Sequence, residues 1–338
     1  MSSDAVRVGI IGAGLMTRSH LRHMLPREDT VVVAVCEPSQ PAYDLTATEF
    51  TAIGLGLPPN EPDWTRFIER FAPELDAVLI VTPHALHAAQ AMACLAAGLD
   101  VLLEKPMVIN GTEAEALIEM RDRTGRLLVV AFPGSLSPQV RAAARMIASG
   151  EVGALLNIDA VVWQDWADRT SGTWRQDPVL SGGGFLFDTG AHMLNTVSDI
   201  AGQEIAEVAA WLEDDGRPVD IRAAVMARLA SGAMVTMNGC GSAIPGYGSE
   251  IRIFCERATL RTGVWGERLE VQRHGSSRLS PVRSIASRTV WQQFLAVRDG
   301  SQPNPSPPEV GLRMARLWDA IRESSAQGGA VVRLGGQA

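Results

Sequence analysis

The sequence predicts an amino-terminal α/β region on a parallel sheet and a carboxy-terminal α+β region on a large, mostly antiparallel, open sheet. From residue 5 to about residue 132, short apolar runs alternate with helical stretches, which is typical of parallel sheets with right-handed crossovers. Beyond Pro133 the apolar residues recur with a period of two, as in 221–229, which indicates antiparallel strands with one covered face. We therefore expect two domains, 1–132 and 133–338.

The first predicted strand, 6–11, runs directly into a glycine-rich turn and a helix. Gly12 allows the tight turn, and Gly14 lets the backbone approach a pyrophosphate. Leu15 and Met16 open the helix, whose first N–H groups can bind an anion. Thr17 stands where the third glycine of this fingerprint is usual. The pattern predicts a Rossmann dinucleotide-binding domain.

A second predicted strand, 31–35, ends just before an acidic residue. Glu37 lies 23 residues after Gly14 (37 − 14), close to the position of the acid that accepts the ribose hydroxyls in such folds. Its charge would repel a 2′-phosphate, and the following 38–40 segment has no arginine to receive one. We therefore expect NAD as the cofactor, with NADP less favoured.

The rest of the amino-terminal region supplies two more strand ends with polar side chains. The proline-rich segment 40–62 is expected to be an irregular connection; strand 75–81, helix 85–97, strand 101–103, helix 112–123 and strand 127–131 then follow. Two groups follow strands 75–81 and 101–103, at the sheet edge where such folds bind ligands: Thr82, Pro83, His84 and His87, then Glu104 and Lys105. A solvent-facing position is equally open for His84, and a buried structural role is favoured for His87.

Lys105 follows a strand that should be buried. A lysine there is costly to desolvate, which suits it to acid–base chemistry. A solvated lysine paired with Glu104 is the alternative, and the tripeptide Glu104-Lys105-Pro106 alone favours it.

The carboxy-terminal region begins with a helix at 138–150. Strands are predicted at 208–212, 221–229, 233–237, 250–255 and 269–273. A turn-rich linker at 301–308 precedes a last helix, about 308–326, which we expect to pack back on the amino-terminal domain. Few helices remain to cover both faces of the sheet, so we expect a homodimer or homotetramer built through the open face.

Asp188 and His192 are four residues apart, so one helix would place both on one face within hydrogen-bond reach. A carboxylate beside an imidazole sets its tautomer. The preceding Gly182-Gly183-Gly184 is expected to let the backbone pass close to a ligand.

Several of these segments together resemble the glucose-fructose oxidoreductase / inositol dehydrogenase / rhizopine-catabolism (Gfo/Idh/MocA) family. The resemblance covers nearly the whole chain, and the segments that carry it are 9–14, 81–87, 97–106, 182–192 and 320–328. It implies an NAD(P)-dependent oxidoreductase that transfers hydride between nicotinamide and a secondary alcohol of a sugar, cyclitol or related polyol. A non-catalytic NAD-binding ligand sensor, and an enzyme that uses tightly bound NAD in an internal redox cycle, remain alternatives.

The resemblance also implies roles for particular residues. Lys105, Asp188 and His192 form the catalytic set, with His192 as the base, Asp188 orienting it and Lys105 polarising the oxygen; the roles of Lys105 and His192 could be reversed. Cofactor contacts are expected from Gly12, Gly14, Leu15, Met16, Glu37, Thr82, Pro83, His84, His87, Glu104 and Lys105. Substrate contacts are expected from Lys105, Trp166, Trp174, Arg175, Asp188 and His192.

The substrate contacts are open to other interpretations. Aromatic faces pack against sugar rings, but Trp166 and Trp174 are equally suited to core or interface packing. Asn195 stands where many relatives have an aspartate, and segment 132–138 lacks the arginine-tyrosine pair with which many relatives reach the substrate. The sugar preference of this chain is therefore left open.

Composition excludes several classes of protein. The formal net charge of −8 argues against a nucleic-acid-binding surface, and no apolar run is long enough to span a bilayer. The four cysteines show no pairing or metal-ligand spacing, so we expect reduced thiols and no metal site. The first residues lack the features of a signal peptide, and these observations together predict a cytoplasmic protein.

Overall fold

The computed structural model describes residues 5–283 and 286–335, which form two compact units. The first unit contains the described residues up to Val108 together with Thr112–Ala131 and Arg288–Gly311. The second contains Ile109–Gly111, the described part of Phe132–Ser287, and the described residues from Leu312 onward.

The strands and helices follow in chain order. The strands are β1 (Val6–Ile11), β2 (Thr30–Cys36), β3 (Ala77–Ile80), β4 (Asp100–Leu103), β5 (Leu128–Val130), β6 (Leu155–Gln164), β7 (Ile205–Glu213), β8 (Arg222–Leu229), β9 (Met234–Cys240), β10 (Tyr247–Cys255), β11 (Ala258–Thr262), β12 (Leu269–Arg273), β13 (Ser280–Pro281) and β14 (Val332–Arg333). The α-helices are α1 (Leu15–Met24), α2 (Gln40–Thr51), α3 (Trp64–Phe71), α4 (His87–Ala96), α5 (Gly111–Thr124), α6 (Pro133–Leu136), α7 (Pro138–Ala148), α8 (Trp166–Arg169), α9 (Pro178–Ser181), α10 (Phe185–Asp188), α11 (Gly190–Ala201), α12 (Val290–Arg298) and α13 (Pro308–Ala326). Short 3-10 turns occur at Ala72–Glu74, His84–Leu86 and Trp174–Gln176.

The first unit is a five-stranded parallel sheet in the order β2-β1-β3-β4-β5. Strands β3, β4 and β5 are almost wholly buried, as continuous apolar runs predict. The chain leaves β1 toward β2 on one side and returns to β3 on the other. The carboxyl ends of β1 and β3 therefore form the point where doubly wound sheets bind ligands.

The predicted irregular connection at 40–62 is wrong for its first half, which is helix α2. Pro41 lies in the first turn, where a missing N–H costs nothing, and the Ser39 hydroxyl accepts a hydrogen bond from the Ala42 N–H. Helix α3, which the sequence analysis did not identify, begins at a cap in which Asp63 accepts the N–H groups of Thr65 and Arg66.

The second unit is built on a nine-stranded sheet in the order β13-β12-β11-β10-β6-β9-β8-β7-β14. Only the β6–β9 pair is parallel among the described pairs of this sheet. Helices α7 and α11 pack on one face. On β8, the alternate side chains of Arg222, Met226 and Arg228 are exposed on the other face. The predicted fold class is confirmed, although the central strand β6 and strand β11 were not predicted.

The two units are not continuous in sequence, unlike the predicted division at 132/133. Residues 288–311 group with the first unit because α12 buries Trp291 and Phe294 in its core. The Trp291 indole N–H also donates to the Thr30 hydroxyl at 2.8 Å. From Leu312 onward the chain groups with the second unit, where the Ser324 hydroxyl accepts the Ala210 N–H at 2.9 Å. The expected packing of the last helix on the amino-terminal domain stays a prediction.

Candidate active site

In the glycine-rich turn after β1, Gly12 and Gly14 lie in different surroundings. Gly12 has φ +95°, and a Cβ there would lie 2.5 Å from the Val81 carbonyl oxygen, so the neighbouring strand end demands glycine. A Cβ on Gly14 would meet nothing within 4 Å. Gly14 is therefore not required by the protein's own packing, and it leaves open space in front of the α1 amino terminus.

Thr17 explains the departure from the usual fingerprint. Its side chain is fully buried, and its hydroxyl donates to the Gly12 carbonyl oxygen at 2.7 Å. The threonine thus ties the first turn of α1 back to the glycine turn. Leu15 and Met16 lie at the exposed start of the same helix.

Glu37 is fixed beside this turn. Its Oε2 accepts the Ala13 N–H at 2.7 Å, and its Oε1 accepts the Ser39 N–H at 2.8 Å. The Asn60 side chain, which the sequence analysis missed, hydrogen-bonds both the N–H and the carbonyl of Glu37 at 3.0 Å. One N–H on each carboxylate oxygen still leaves room for a further donor, because each oxygen can accept more than one hydrogen bond.

His87 joins the loops that follow β3 and β4. Its ring is fully buried, with Nδ1 2.8 Å from the Pro106 carbonyl oxygen and Nε2 2.9 Å from that of Thr82. Burial lowers the pKa of His87, and the two carbonyls and the charge of Glu104 act in the opposite direction. Both ring nitrogens face backbone, so His87 connects the two loops rather than presenting its ring to a ligand.

The other residues after β3 are also engaged. The Thr82 hydroxyl donates to Gln90 Oε1 at 2.6 Å. His84 is buried, with its ring centroid 5.8 Å from that of His87, so the solvent-facing alternative for His84 is excluded.

Glu104 is a buried carboxylate held by a histidine that the sequence analysis missed. His20 Nε2 lies 2.7 Å from Glu104 Oε1, and Glu104 Oε2 accepts the N–H of Lys105 at 3.1 Å. Burial alone would raise the pKa of Glu104, but His20 and the adjacent Lys105 outweigh it and lower the pKa. The signal for His20 was its place three residues after Thr17, on the buried face of α1.

Lys105 directly follows Glu104 and is partly exposed, and its peptide bond to Pro106 is cis. It is also the only lysine in the sequence, a fact that the sequence analysis overlooked. Lys105 is only partly exposed, and its charge acts to lower the pKa of the adjacent Glu104, so the alternative of a lysine paired with Glu104 stays open beside the catalytic role.

In the second unit, Asp188 and His192 lie on two successive helices, α10 and α11, rather than on one. Both side chains are buried. Asp188 Oδ2 accepts the Trp166 indole N–H at 2.9 Å and the Arg175 Nε–H at 3.0 Å. Two donors on one oxygen, one of them cationic, hold this carboxylate in place.

The three consecutive glycines, Gly182 to Gly184, pack closely against other residues of the second unit. A Cβ on Gly184 would lie 1.9 Å from the Asp220 carbonyl oxygen, and one on Gly183 would lie 2.5 Å from the Trp318 ring. Asp220, whose pKa is raised by burial, accepts the N–H groups of Gly184 and Leu186 at 2.7 and 2.9 Å. These glycines therefore allow packing that sets the start of α10, and the close approach of a ligand stays a prediction.

The predicted tryptophans have different roles. Trp166 is only 4% exposed, and its indole N–H is committed to Asp188, so its face is closed to a sugar. Trp174 is half-buried, and the Arg175 guanidinium lies over its ring at 4.5 Å. Trp163, which was not among the predicted contacts, alternates with residues of β6 that are buried against the helices and is partly exposed on the open face.

Two aromatic residues near His192 were not predicted. The Trp265 ring centroid lies 5.9 Å from that of His192, and the Tyr247 centroid lies 5.8 Å from that of Trp265. The only sequence signal was the position of Trp265 between Gly263 and Gly266.

Asn195 belongs to a buried polar network. Its Nδ2 donates to the Ser135 hydroxyl at 2.8 Å and to Asp199, while its Oδ1 accepts from Arg313 at 3.1 Å. Asn195 is buried, and Ser135 lies in segment 132–138. Asn195 and segment 132–138, the two places where the resemblance implied a departure from the family pattern, therefore meet in one hydrogen-bonded cluster.

Residues 5–283 and 286–335 lack a metal-ion cluster and a membrane-spanning helix. That part of the chain has no group of three His, Cys, Asp or Glu side chains placed to hold a metal ion. None of its helices is long and apolar enough to cross a membrane.

Comparison with known proteins gives matches along most of the chain. Residues 6–132 match the model described as an oxidoreductase family with an NAD-binding Rossmann fold, and residues 140–261 match the GFO/IDH/MocA C-terminal domain. The chain is 28% identical to levoglucosan dehydrogenase of Pseudarthrobacter phenanthrenivorans, over 59% of this chain and 52% of that protein. It is 28% identical to inositol 2-dehydrogenase 4 of Saccharopolyspora erythraea, over 78% of this chain and 75% of that protein.

A solved structure of levoglucosan dehydrogenase with NADH and levoglucosan superposes with a TM-score of 0.82 at 23% identity, over 98% of this chain and 99% of that one. At this identity the match shows the shared fold. In sequence, the aligned part of the chain spans about half of the levoglucosan dehydrogenase that it matches.

Proposed function

Because this chain belongs to the Gfo/Idh/MocA oxidoreductase family, we propose that it is an NAD-dependent oxidoreductase acting on a secondary alcohol of a sugar, cyclitol or related polyol. The observation that carries the proposal is the anchored carboxylate of Asp188, four residues before the buried His192. The single lysine, Lys105, supplies the cationic group that the reaction needs beside the substrate oxygen.

The glycine turn fits a dinucleotide, since Gly14 leaves room that a side chain would fill. The N–H groups at the start of α1 would bind the pyrophosphate, and Glu37 would accept the ribose hydroxyls. When bound, the nicotinamide supplies the hydride acceptor or donor for the carbinol carbon.

This chain's residues would handle the proton. His192 accepts the hydroxyl proton during alcohol oxidation, and Asp188, anchored by Trp166 and Arg175, orients the imidazole and stabilises its charged form. Lys105 polarises the substrate oxygen and stabilises the charge that develops there. Glu104 and His20 position the Lys105 backbone.

A panel of cyclitols, pyranoses, anhydro sugars and open-chain polyols, followed by NADH absorbance, tests the activity. We expect turnover of at least one member. If a folded protein that binds NADH turns over no member of the panel, the proposed enzymatic activity is contradicted and a ligand sensor is favoured. Stoichiometric NAD retained through purification would favour the internal redox cycle.

We propose NAD in preference to NADP. Glu37 is held at both oxygens, so its charge cannot turn away from a 2′-phosphate, and the next residues, 38–40, are not basic. The test is kcat/KM with both cofactors. Equal or better efficiency with NADP would refute this preference.

We propose that the protein forms a homodimer or homotetramer through the open face of the second sheet. Met226 and Met234 are more than half exposed there and, with the exposed Val331, line a depression that Glu207, Arg228 and Thr236 border. An exposed apolar sheet face of this kind is typical of a protein interface.

A cytoplasmic location is proposed from the thiols. All four cysteines are free, and three of them are buried. Burial raises the pKa of Cys36 and of Cys94 to about 12, which keeps these thiols protonated and unreactive. Free thiols suit a reducing compartment. Thiol titration of the unfolded, unreduced protein from its natural host should find four; a lower count would contradict this.

A further inference from the structure

Trp265 is held beside His192 in the loop between β11 and β12. The two ring planes are inclined by 55°, and the Tyr247 ring stands at 88° to the Trp265 ring. Tyr247 is 69% exposed and Trp265 is partly exposed. A wall of two perpendicular aromatic rings therefore reaches from His192 to solvent.

The backbone on both sides of Trp265 is fixed by neighbouring elements. The Thr196 hydroxyl, one turn after His192 on α11, donates to the Val264 carbonyl at 2.7 Å, and the Val264 N–H donates to the Ser249 hydroxyl at 3.0 Å. The Ser137 hydroxyl donates to the Gly266 carbonyl at 2.7 Å. Trp265 is therefore tied to the helix that carries His192.

Tyr247 marks the place where the covered face of the sheet becomes open. It alternates along β10 with the partly exposed Gly248 and shares its face with the buried Ser249 and Ile251. Its cross-strand partner is Gln164, whose Oε1 accepts the hydroxyl of Thr189, next to Asp188. The opening thus borders Asp188 and His192 within the second unit.

We propose that Trp265 and Tyr247 form a subsite that receives the apolar C–H face of a ring-shaped substrate, with the reacting hydroxyl on the ring edge toward His192. Aromatic rings attract the C–H face of a sugar or carbocycle, and tryptophan presents the largest face. This inference rests on the proposed function and narrows its substrates to cyclitols, pyranoses and anhydro sugars. An open-chain polyol has no such rigid face.

The kinetic test uses myo-inositol and levoglucosan as cyclic probes and sorbitol as the open-chain probe. Wild-type kcat/KM should favour a cyclic probe. Trp265→Leu should raise KM for that probe about tenfold or more with a smaller change in kcat, and Trp265→Phe should retain part of the affinity. NADH affinity should be unchanged in both. Trp64→Leu, a partly buried tryptophan in the first unit, is the control and should match wild type.

Two results would overturn the subsite: an unchanged KM in folded Trp265→Leu, or sorbitol turned over as efficiently as the cyclic probes. Ligand-observed NMR distinguishes a wrong subsite from an inactive protein, because this measurement does not need turnover. With NADH present, saturation transfer to ring C–H protons should occur in wild type and Trp64→Leu and be lost in Trp265→Leu. Equal transfer in wild type and Trp265→Leu would reject the subsite even for an inactive protein.

Discussion

At the scale of single residues, the buried carboxylate of Glu104 links two parts of the first unit that are far apart in sequence. It accepts the Lys105 N–H on one oxygen and is bound to His20 on the other. It therefore couples the helix after the glycine turn to the segment that follows β4 and carries Lys105. Loss of either partner would leave a buried polar group without its hydrogen bond, which is costly.

Lys105→Met should reduce turnover by at least about a hundredfold while NADH affinity stays nearly constant, because the change removes the charge that stabilises the developing alkoxide. Lys105→Arg keeps the charge and is the matched comparison: recovery of most activity would assign an electrostatic role, and none would assign proton transfer. A near wild-type rate in folded Lys105→Met would remove Lys105 from the catalytic set.

The single lysine allows a direct titration. Reductive methylation with ¹³C-formaldehyde labels only Lys105 and the amino terminus, so one resonance should vanish in Lys105→Met. The pH dependence of that resonance can be compared with the pH dependence of kcat/KM. Coincident midpoints would assign the proton acceptor to Lys105 instead of His192.

His192→Ala should remove one ionisation from the pH profile of kcat/KM for alcohol oxidation, since the base that must lose its proton is gone. Arg175→Leu should lower kcat without removing that ionisation, because it only releases one anchor of Asp188. A profile for His192→Ala with the wild-type ionisation would exclude His192 as the base.

Glu104→Gln should change the acid sensitivity of folding. The pKa of Glu104 is lower in the fold than its ordinary value of 4.5, so its charge stabilises the protein above about pH 4.5, and that stability is lost as the pH falls. The variant should be less stable than wild type in urea at pH 7, and the difference should shrink as the pH falls below 4.5. A difference independent of pH would contradict this; His23→Gln, on the exposed side of α1, is the control.

At the scale of elements, substitutions in the glycine turn can separate an effect on folding from an effect on cofactor binding. Gly14→Ala should leave the unfolding temperature unchanged, because its φ of −77° suits alanine and its Cβ meets open space, yet weaken NADH by at least about tenfold. Gly12→Ala should lower the unfolding temperature, because of its positive φ and the Val81 carbonyl. Calorimetry and NADH titration measure both. Unchanged NADH affinity in Gly14→Ala would show that this space is not the cofactor's.

The same elements show what a sequence can predict. The turn at Gly12 and Gly14, the strand before it and the helix after it are encoded within a few residues, so their pattern predicts them. The His20–Glu104 pair joins positions 84 apart, and no local pattern carries such a contact. The triple glycine was located correctly, but its neighbours Asp220 and Trp318 are distant in sequence, so the packing that requires these glycines could not be predicted.

Local sequence patterns also failed to predict elements that contain polar residues or a proline. In β6, Asn157 and Asp159 break the apolar run, and the strand is recognisable only from its place between β10 and β9. In α2, Pro41 suggested a loop although a proline is tolerated in a first helical turn. The candidate residues were found in part because the family resemblance supplied them.

At the scale of the whole molecule, the open face of the second sheet predicts self-association. Light scattering at micromolar concentration should give a dimer or tetramer mass, and Met226→Glu with Met234→Glu should lower it by placing charge in the interface. Leu45→Glu, an exposed leucine on α2, is the control and should not change the mass. A monomeric wild type would refute the proposed assembly.

The placement of α12 has a consequence for how the chain is made. Trp291 and Phe294 fill the core of the first unit, but they emerge from the ribosome only after the stretch from Phe132 to Ser287 has been synthesised. The nascent Rossmann sheet must therefore wait with part of its core unfilled while the second unit is translated. A fragment cut at residue 132 would carry this gap permanently, so a chaperone that covers exposed apolar surface would hold it longer than the full-length chain.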